Sequence, residues 1–77
     1  MRVTEKGWEL VRSVEKGKER HWQMDTSVVY LVSIASRERS IGKKGWTQEK
    51  IQGFIDEMGG SQAGQALRAC IDYGWVE

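Results

Sequence analysis

The stretch Thr47-Gln-Glu-Lys50-Ile51-Gln-Gly-Phe54-Ile55-Asp-Glu-Met58-Gly59-Gly60-Ser61 decides how this chain folds. Ile51, Phe54, Ile55 and Met58 recur at i, i+3, i+4 and i+7, which makes one apolar face of an α-helix. Thr47 stands where its hydroxyl would cap that helix, and Gly59-Gly60 stops it, with one of the two glycines expected at φ > 0. Ser61 is placed to cap a second helix. In it Ala63, Ala66, Leu67, Cys70 and Ile71 repeat the stripe, and Gly74 supplies a left-handed stop before Trp75-Val76. Two amphipathic helices joined by Gly-Gly-Ser form a helix-turn-helix candidate.

Working outward, Val28, Leu31, Val32 and Ala35 also recur at helical spacing behind Asp25-Thr26, a good N-cap pair. Their β-branched character pulls toward a strand. The continuation into Arg37-Glu38-Arg39, cations at a helix C-terminus, favours a helix of about three turns instead. Ile41-Gly-Lys-Lys-Gly-Trp46 reads as a loop or short strand. Residues 1–25 carry two readings. One is a helix capped by Thr4 and ended by Gly17, with Trp8, Leu10, Val11 and Val14 on its stripe. The other is a hairpin of Trp8–Glu15 and Glu19–Met24 around Lys16-Gly17-Lys18.

Composition bounds the function. At 77 residues, with 39% hydrophobic and 30% charged residues, the chain is expected to be one soluble domain, with 1–25 as helix or hairpin and 26–77 as a three-helix core. Such a core is thin, and four tryptophans are conspicuous in it. The longest apolar run, Val28 to Val32, falls far short of a membrane span, and no signal-peptide pattern precedes it. One cysteine, Cys70, makes no internal disulfide, and with one histidine, His21, it makes a poor metal set; a cytoplasmic setting fits. Cys70 reads as a small core residue and His21 as a surface one. Neither a nucleophile with a positioned base nor two facing carboxylates can be assembled, so no catalytic activity, metal or cofactor is expected. Glu5, Glu9 and Glu15 read as solvated charges.

Net charge is only +1, less than a strong nucleic-acid binder shows. Its distribution is uneven. Residues 37–50 carry five Lys/Arg against two Glu, whereas residues 51–77 carry one Arg against four acids.

From residue 26 to residue 76 the order of features resembles a winged-helix DNA-binding domain. An apolar first helix, Val28–Ser36, leads to the capping Thr47 of the second. A third helix follows a Gly turn with Ala63 and Ala66-Leu67, and closes on Cys70-Ile71-Asp72-Tyr73-Gly74-Trp75-Val76, similar to the Leu-x-x-x-Gly-Leu/Trp-Val ending that precedes the wing. The resemblance implies a small mainly-α (α+β) fold with a small β element. With the sequence ending at Glu77, the wing would be truncated or rearranged, and Arg2–Val11 pairing with Trp75–Glu77 would complete a small sheet.

The resemblance also implies that the third helix reads DNA. Its outer face would present Ser61, Gln62, Gln65, Arg68 and Asp72. Gln suits adenine and Arg suits guanine in the major groove. Lys43, Lys44 and Lys50 would hold phosphates. The same polar face is also what any solvated amphipathic helix shows. The competing function is a protein-interaction module, or a homodimer, that uses the fold without nucleic acid. At least one exposed tryptophan would then serve as its anchor. Trp75 is expected to fold back on its helix and Trp46 to staple onto Ile51 or its neighbours, while Trp8 and Trp22 are undetermined. The size fits an accessory protein of viral or mobile-element type.

Overall fold

The computed structural model describes residues 1–17 and 26–77. In chain order they form α1 (Glu5–Glu15), α2 (Thr26–Ile41), a 3-10 turn (Gly42–Lys44), α3 (Gln48–Glu57) and α4 (Ser61–Asp72). The fold is mainly helical, and no strand longer than a single bridge occurs among the described residues.

Residues 5–15 are helical, so the hairpin reading of the N-terminus fails; its second strand, like His21, Trp22 and Asp25, lies outside the described residues. Thr4 shows why. Its Oγ1 accepts the Gly7 N–H at 3.1 Å, capping α1, and donates to the Gly74 carbonyl at 2.6 Å, so one hydroxyl starts the first helix and fastens it beyond the last. Val3 and Val76 form an antiparallel bridge, flanked by Arg2 N–H to Glu77 O at 2.8 Å, Glu77 N–H to Arg2 O at 2.9 Å and Thr4 N–H to Trp75 O at 2.9 Å. The expected pairing of the two ends therefore occurs, as one bridge and not as a sheet.

α2 is the central element, longer than the three turns read from its pattern. Val28, Tyr30, Leu31, Ile34 and Ala35 are buried, on more than one side of the helix, because α1, α3 and α4 all pack around it. Burial outweighs the strand preference of its β-branched residues. Tyr30 Oη donates to the Met58 carbonyl at 3.0 Å, satisfying an acceptor at the end of α3. After α2 the chain makes the 3-10 turn where a loop or short strand was expected.

Three of the four α3 stripe residues fall as expected, Phe54 buried with Ile55 and Met58 packed against the core, whereas Ile51 is half-buried and outside the core cluster. Thr47 Oγ1 caps α3 by accepting the Lys50 N–H at 3.2 Å. The Trp46 ring meets Phe54 edge-on, centroids 6.0 Å apart, so the staple lands one turn beyond Ile51. Trp46 Nε1 donates to Glu38 Oε1 at 3.1 Å, and the same oxygen accepts the Val3 N–H at 2.9 Å. Glu38 thus joins α2, the approach to α3 and the N-terminal segment.

Three expectations about α4 need correction. Both Gly59 and Gly60 take positive φ, 111° and 63°, not one of them. The N-cap is Gly60 and Ser61 is already helical, so the Ser61 hydroxyl caps nothing. Ile71 is 44% exposed and lies off the buried stripe, because the buried positions Ala63, Ala66 and Cys70 centre the core face about 100° away from it. Cys70 is fully buried as expected, its Sγ 3.4 Å from the Ser27 carbonyl.

Candidate nucleic-acid interface

α4 is held by its inner face. Ala63, Ala66 and Cys70 are small, so the helix approaches α2 closely, and the Cys70 contact to Ser27 fixes it against the start of α2. That leaves Ser61, Gln65, Arg68 and Asp72, at i, i+4, i+7 and i+11, as one exposed outward row. Gln62, also exposed, sits on the flank. With Gln65, Thr26, Ser27, Ala66 and Ala69 it borders a shallow groove of about 450 Å³ between α4 and the N-terminal end of α2.

The row carries little net charge. Arg68 Nε lies 3.6 Å from Asp72 Oδ1, an ion pair within the helix with both side chains largely exposed. At that distance it is a charge contact without a hydrogen bond, so the guanidinium donors stay uncommitted. No side chain caps the first turn of α4.

The lysines are placed differently. Lys43 and Lys44 are exposed in the 3-10 turn, and Lys50 is half-buried in the first turn of α3. No ion pair holds any of the three among the described residues. Gln62 and Gln65 lie beside the start of α2, whereas Lys43 and Lys44 follow its end. At 1.5 Å per residue, the 16 residues of α2 put about 24 Å between those ends. The expected site residues are therefore two groups: the polar row of α4, and a cationic turn at the far end of the central helix.

Among the described residues no exposed tryptophan is available as an anchor: Trp8, Trp46 and Trp75 are all half-buried and packed against the core, and Trp22 lies outside the described residues. Among the described residues the exposed large apolar side chains are Val29, Ile71 and Tyr73, with Tyr73 tilted over Trp75 at a centroid distance of 4.5 Å. Helical periodicity gave no hint of Tyr73, which lies just past the end of α4. No described helix is long and apolar enough to cross a membrane. No family model, no curated protein and no solved structure matches this chain.

Proposed function

We propose that α2, α3 and α4 act as a winged-helix-like helix-turn-helix unit that binds duplex DNA, with α4 in the major groove, in an accessory or regulatory protein. The observation that carries this reading is the outward row of Ser61, Gln65 and Arg68, with Gln62 beside it, on a helix whose opposite face is fixed to α2. A rigidly backed helix can present side chains to base edges at defined positions. Gln62 and Gln65 offer the paired donor and acceptor that adenine N7 and N6 require, and Arg68 offers a fork for guanine. The Ser61 hydroxyl, free of capping duty, and the uncapped first turn suit a phosphate at the helix start. Lys43, Lys44 and Lys50 would hold backbone outside the groove that α4 enters. The Val3–Val76 bridge would stand for the small β element, in place of a full wing.

Fluorescence anisotropy with a mixed-sequence duplex at low salt, followed by the slope of affinity with salt, tests the reading. Binding that weakens with salt supports it. Lys43→Ala and Lys44→Ala should each lower the slope by roughly one unit on every sequence alike. Absence of binding at low salt refutes it.

A second reading, a protein-interaction module, draws on Ile71 and Tyr73, 44% and 50% exposed at the end of α4. It also draws on the charge of residues 48–72, where two cations stand against four acids. Retained partner binding with no DNA affinity, lost on Tyr73→Ala, would favour it.

A further inference from the structure

Asp72 is hard to account for by helix stability. It is an acid in the last turn of α4, where the helix dipole disfavours negative charge, and no basic residue shares that turn. Its pairing with Arg68 runs in the weaker direction for an i,i+4 pair, cation before anion, and both groups are exposed. An acid on a surface that meets phosphates is also repulsive. The helix dipole and any bound phosphate both disfavour Asp72, its pairing returns little, and among the described residues the group it engages is Arg68.

We infer that Asp72 is a positioning residue for base recognition: its charge lies beside the Nε edge of Arg68 and biases the side chain so that the Nη1/Nη2 edge is presented to a guanine. This deepens the DNA reading and rests on it. An unrestrained arginine on a DNA-facing helix samples many rotamers and is drawn to the nearest phosphate, which carries no sequence information. With Nε facing Asp72 Oδ1 at 3.6 Å, the side chain is biased along the helix and the terminal fork is left open. Two parallel N–H groups match guanine O6 and N7. The carboxylate also lowers the attraction of this part of α4 for phosphate in general. Asp72 therefore gives up affinity for all DNA in return for discrimination at one base pair.

The two effects have opposite signs, so a single variant separates them. Wild type, Arg68→Ala and Asp72→Asn are each used to select duplexes from a randomised pool, and affinity for non-specific duplex is measured alongside. Circular dichroism confirms the helical fold of each variant. Wild type should enrich a site with one position fixed as G·C, preferred about tenfold or more. Arg68→Ala should abolish that preference alone. Asp72→Asn should reduce it by roughly three- to tenfold while binding non-specific duplex more tightly. If Asp72→Asn tightens binding to all sequences and leaves the guanine preference intact, Asp72 is only a repulsive charge and the inference fails. If wild type enriches a site that Arg68→Ala leaves unchanged, Arg68 does not read it and the inference also fails, with the DNA reading intact. If wild type binds no duplex at low salt, the DNA reading itself falls.

Discussion

Gly7 lies in the first turns of α1, where replacing glycine by alanine in an ordinary helix stabilises a protein by about 0.5–1 kcal/mol. Here the sign should reverse. A Cβ at residue 7 would lie 2.3 Å from the Trp75 carbonyl oxygen and 2.8 Å from Val3 Cγ1, so the bridge segment passes directly over the helix backbone. The carbonyl is main chain and is held by the Thr4 N–H, with the Thr4 hydroxyl bonded to the neighbouring Gly74 carbonyl. Relief needs Val3 and Trp75 to move apart. Overpacking of this kind costs about 1–3 kcal/mol, and each hydrogen bond lost with the bridge adds about 1 kcal/mol. In a chain this size about 1 kcal/mol shifts the thermal midpoint by roughly 4–8 °C, so Gly7→Ala should lower it by at least about 5 °C. Gly53 and Gly64 are internal controls: both are helical, and an added Cβ meets nothing within 4 Å at either. Gly53→Ala and Gly64→Ala should each gain about 0.5–1 kcal/mol. Thermal and urea denaturation followed by circular dichroism distinguish the cases. A Gly7→Ala midpoint raised like those of the two controls would refute the close packing of the chain ends.

Phe54→Ala should cost about 3–5 kcal/mol, because the ring is 1% exposed, with Trp46 against its edge and the Arg37 guanidinium 5.8 Å from its centre. An unchanged thermal midpoint would mean that Phe54 does not anchor α3. Gly60→Ala, at φ 63° and ψ −116°, should cost more than about 1 kcal/mol, since no L side chain suits that conformation; a neutral effect in chemical denaturation would contradict the turn. The Glu15 carboxyl is held below its ordinary value of 4.5, chiefly by its hydrogen bonds from Arg39. Its stabilisation is therefore complete above that value and lost as pH falls through the folded one. The midpoint of Glu15→Gln should lie below wild type near neutral pH, and the gap should close in acid; a gap independent of pH would refute the pairing.

α3 and α4 were legible because each has one buried face, and a 3.6-residue period is then written plainly in the side chains. α2 was legible as a helix but not in its length, since it is buried on several sides and its ends carry serine and arginine. The N-terminus is ambiguous for a physical reason: Trp8, Leu10 and Val14 fit one face of a strand as well as a helical stripe, and Val11 alone breaks the two-residue period. The Thr4 cap on Gly7 is local and readable, whereas its second hydrogen bond, to Gly74, 70 residues away, is a contact that no local pattern encodes. Glu38 was missed for the same reason, as both of its partners lie on other segments. Ile71 is apolar yet 44% exposed, because at the edge of a stripe apolar type does not imply burial. At the candidate interface, residue types were readable. The separation of Lys43 and Lys44 from Gln62 and Gln65 was not, since it follows from which end of α2 receives α4.

The arginines divide by what they hold. Arg39 makes two 2.8 Å bonds to Glu15 and lies over the Trp8 ring, tying α2 to α1. Arg37 pairs with Glu57, tying α2 to α3, and Arg2 pairs with Glu77 across the chain ends. Of the ion-paired arginines among the described residues, Arg68 is the one whose carboxylate partner lies on its own helix, so its pair joins no two parts of the fold. Removing Arg37 or Arg39 should therefore act on stability first, and on any binding only through loss of the folded state. Removing Arg68 should leave the thermal midpoint within the scatter of an exposed substitution, about 0.5 kcal/mol, and act on binding directly. Comparing the stability and binding of these three variants separates a cation that maintains the fold from one available to a ligand. If Arg68→Ala lowered stability as much as Arg39→Ala does, the outward row of α4 would have to be reread as structural.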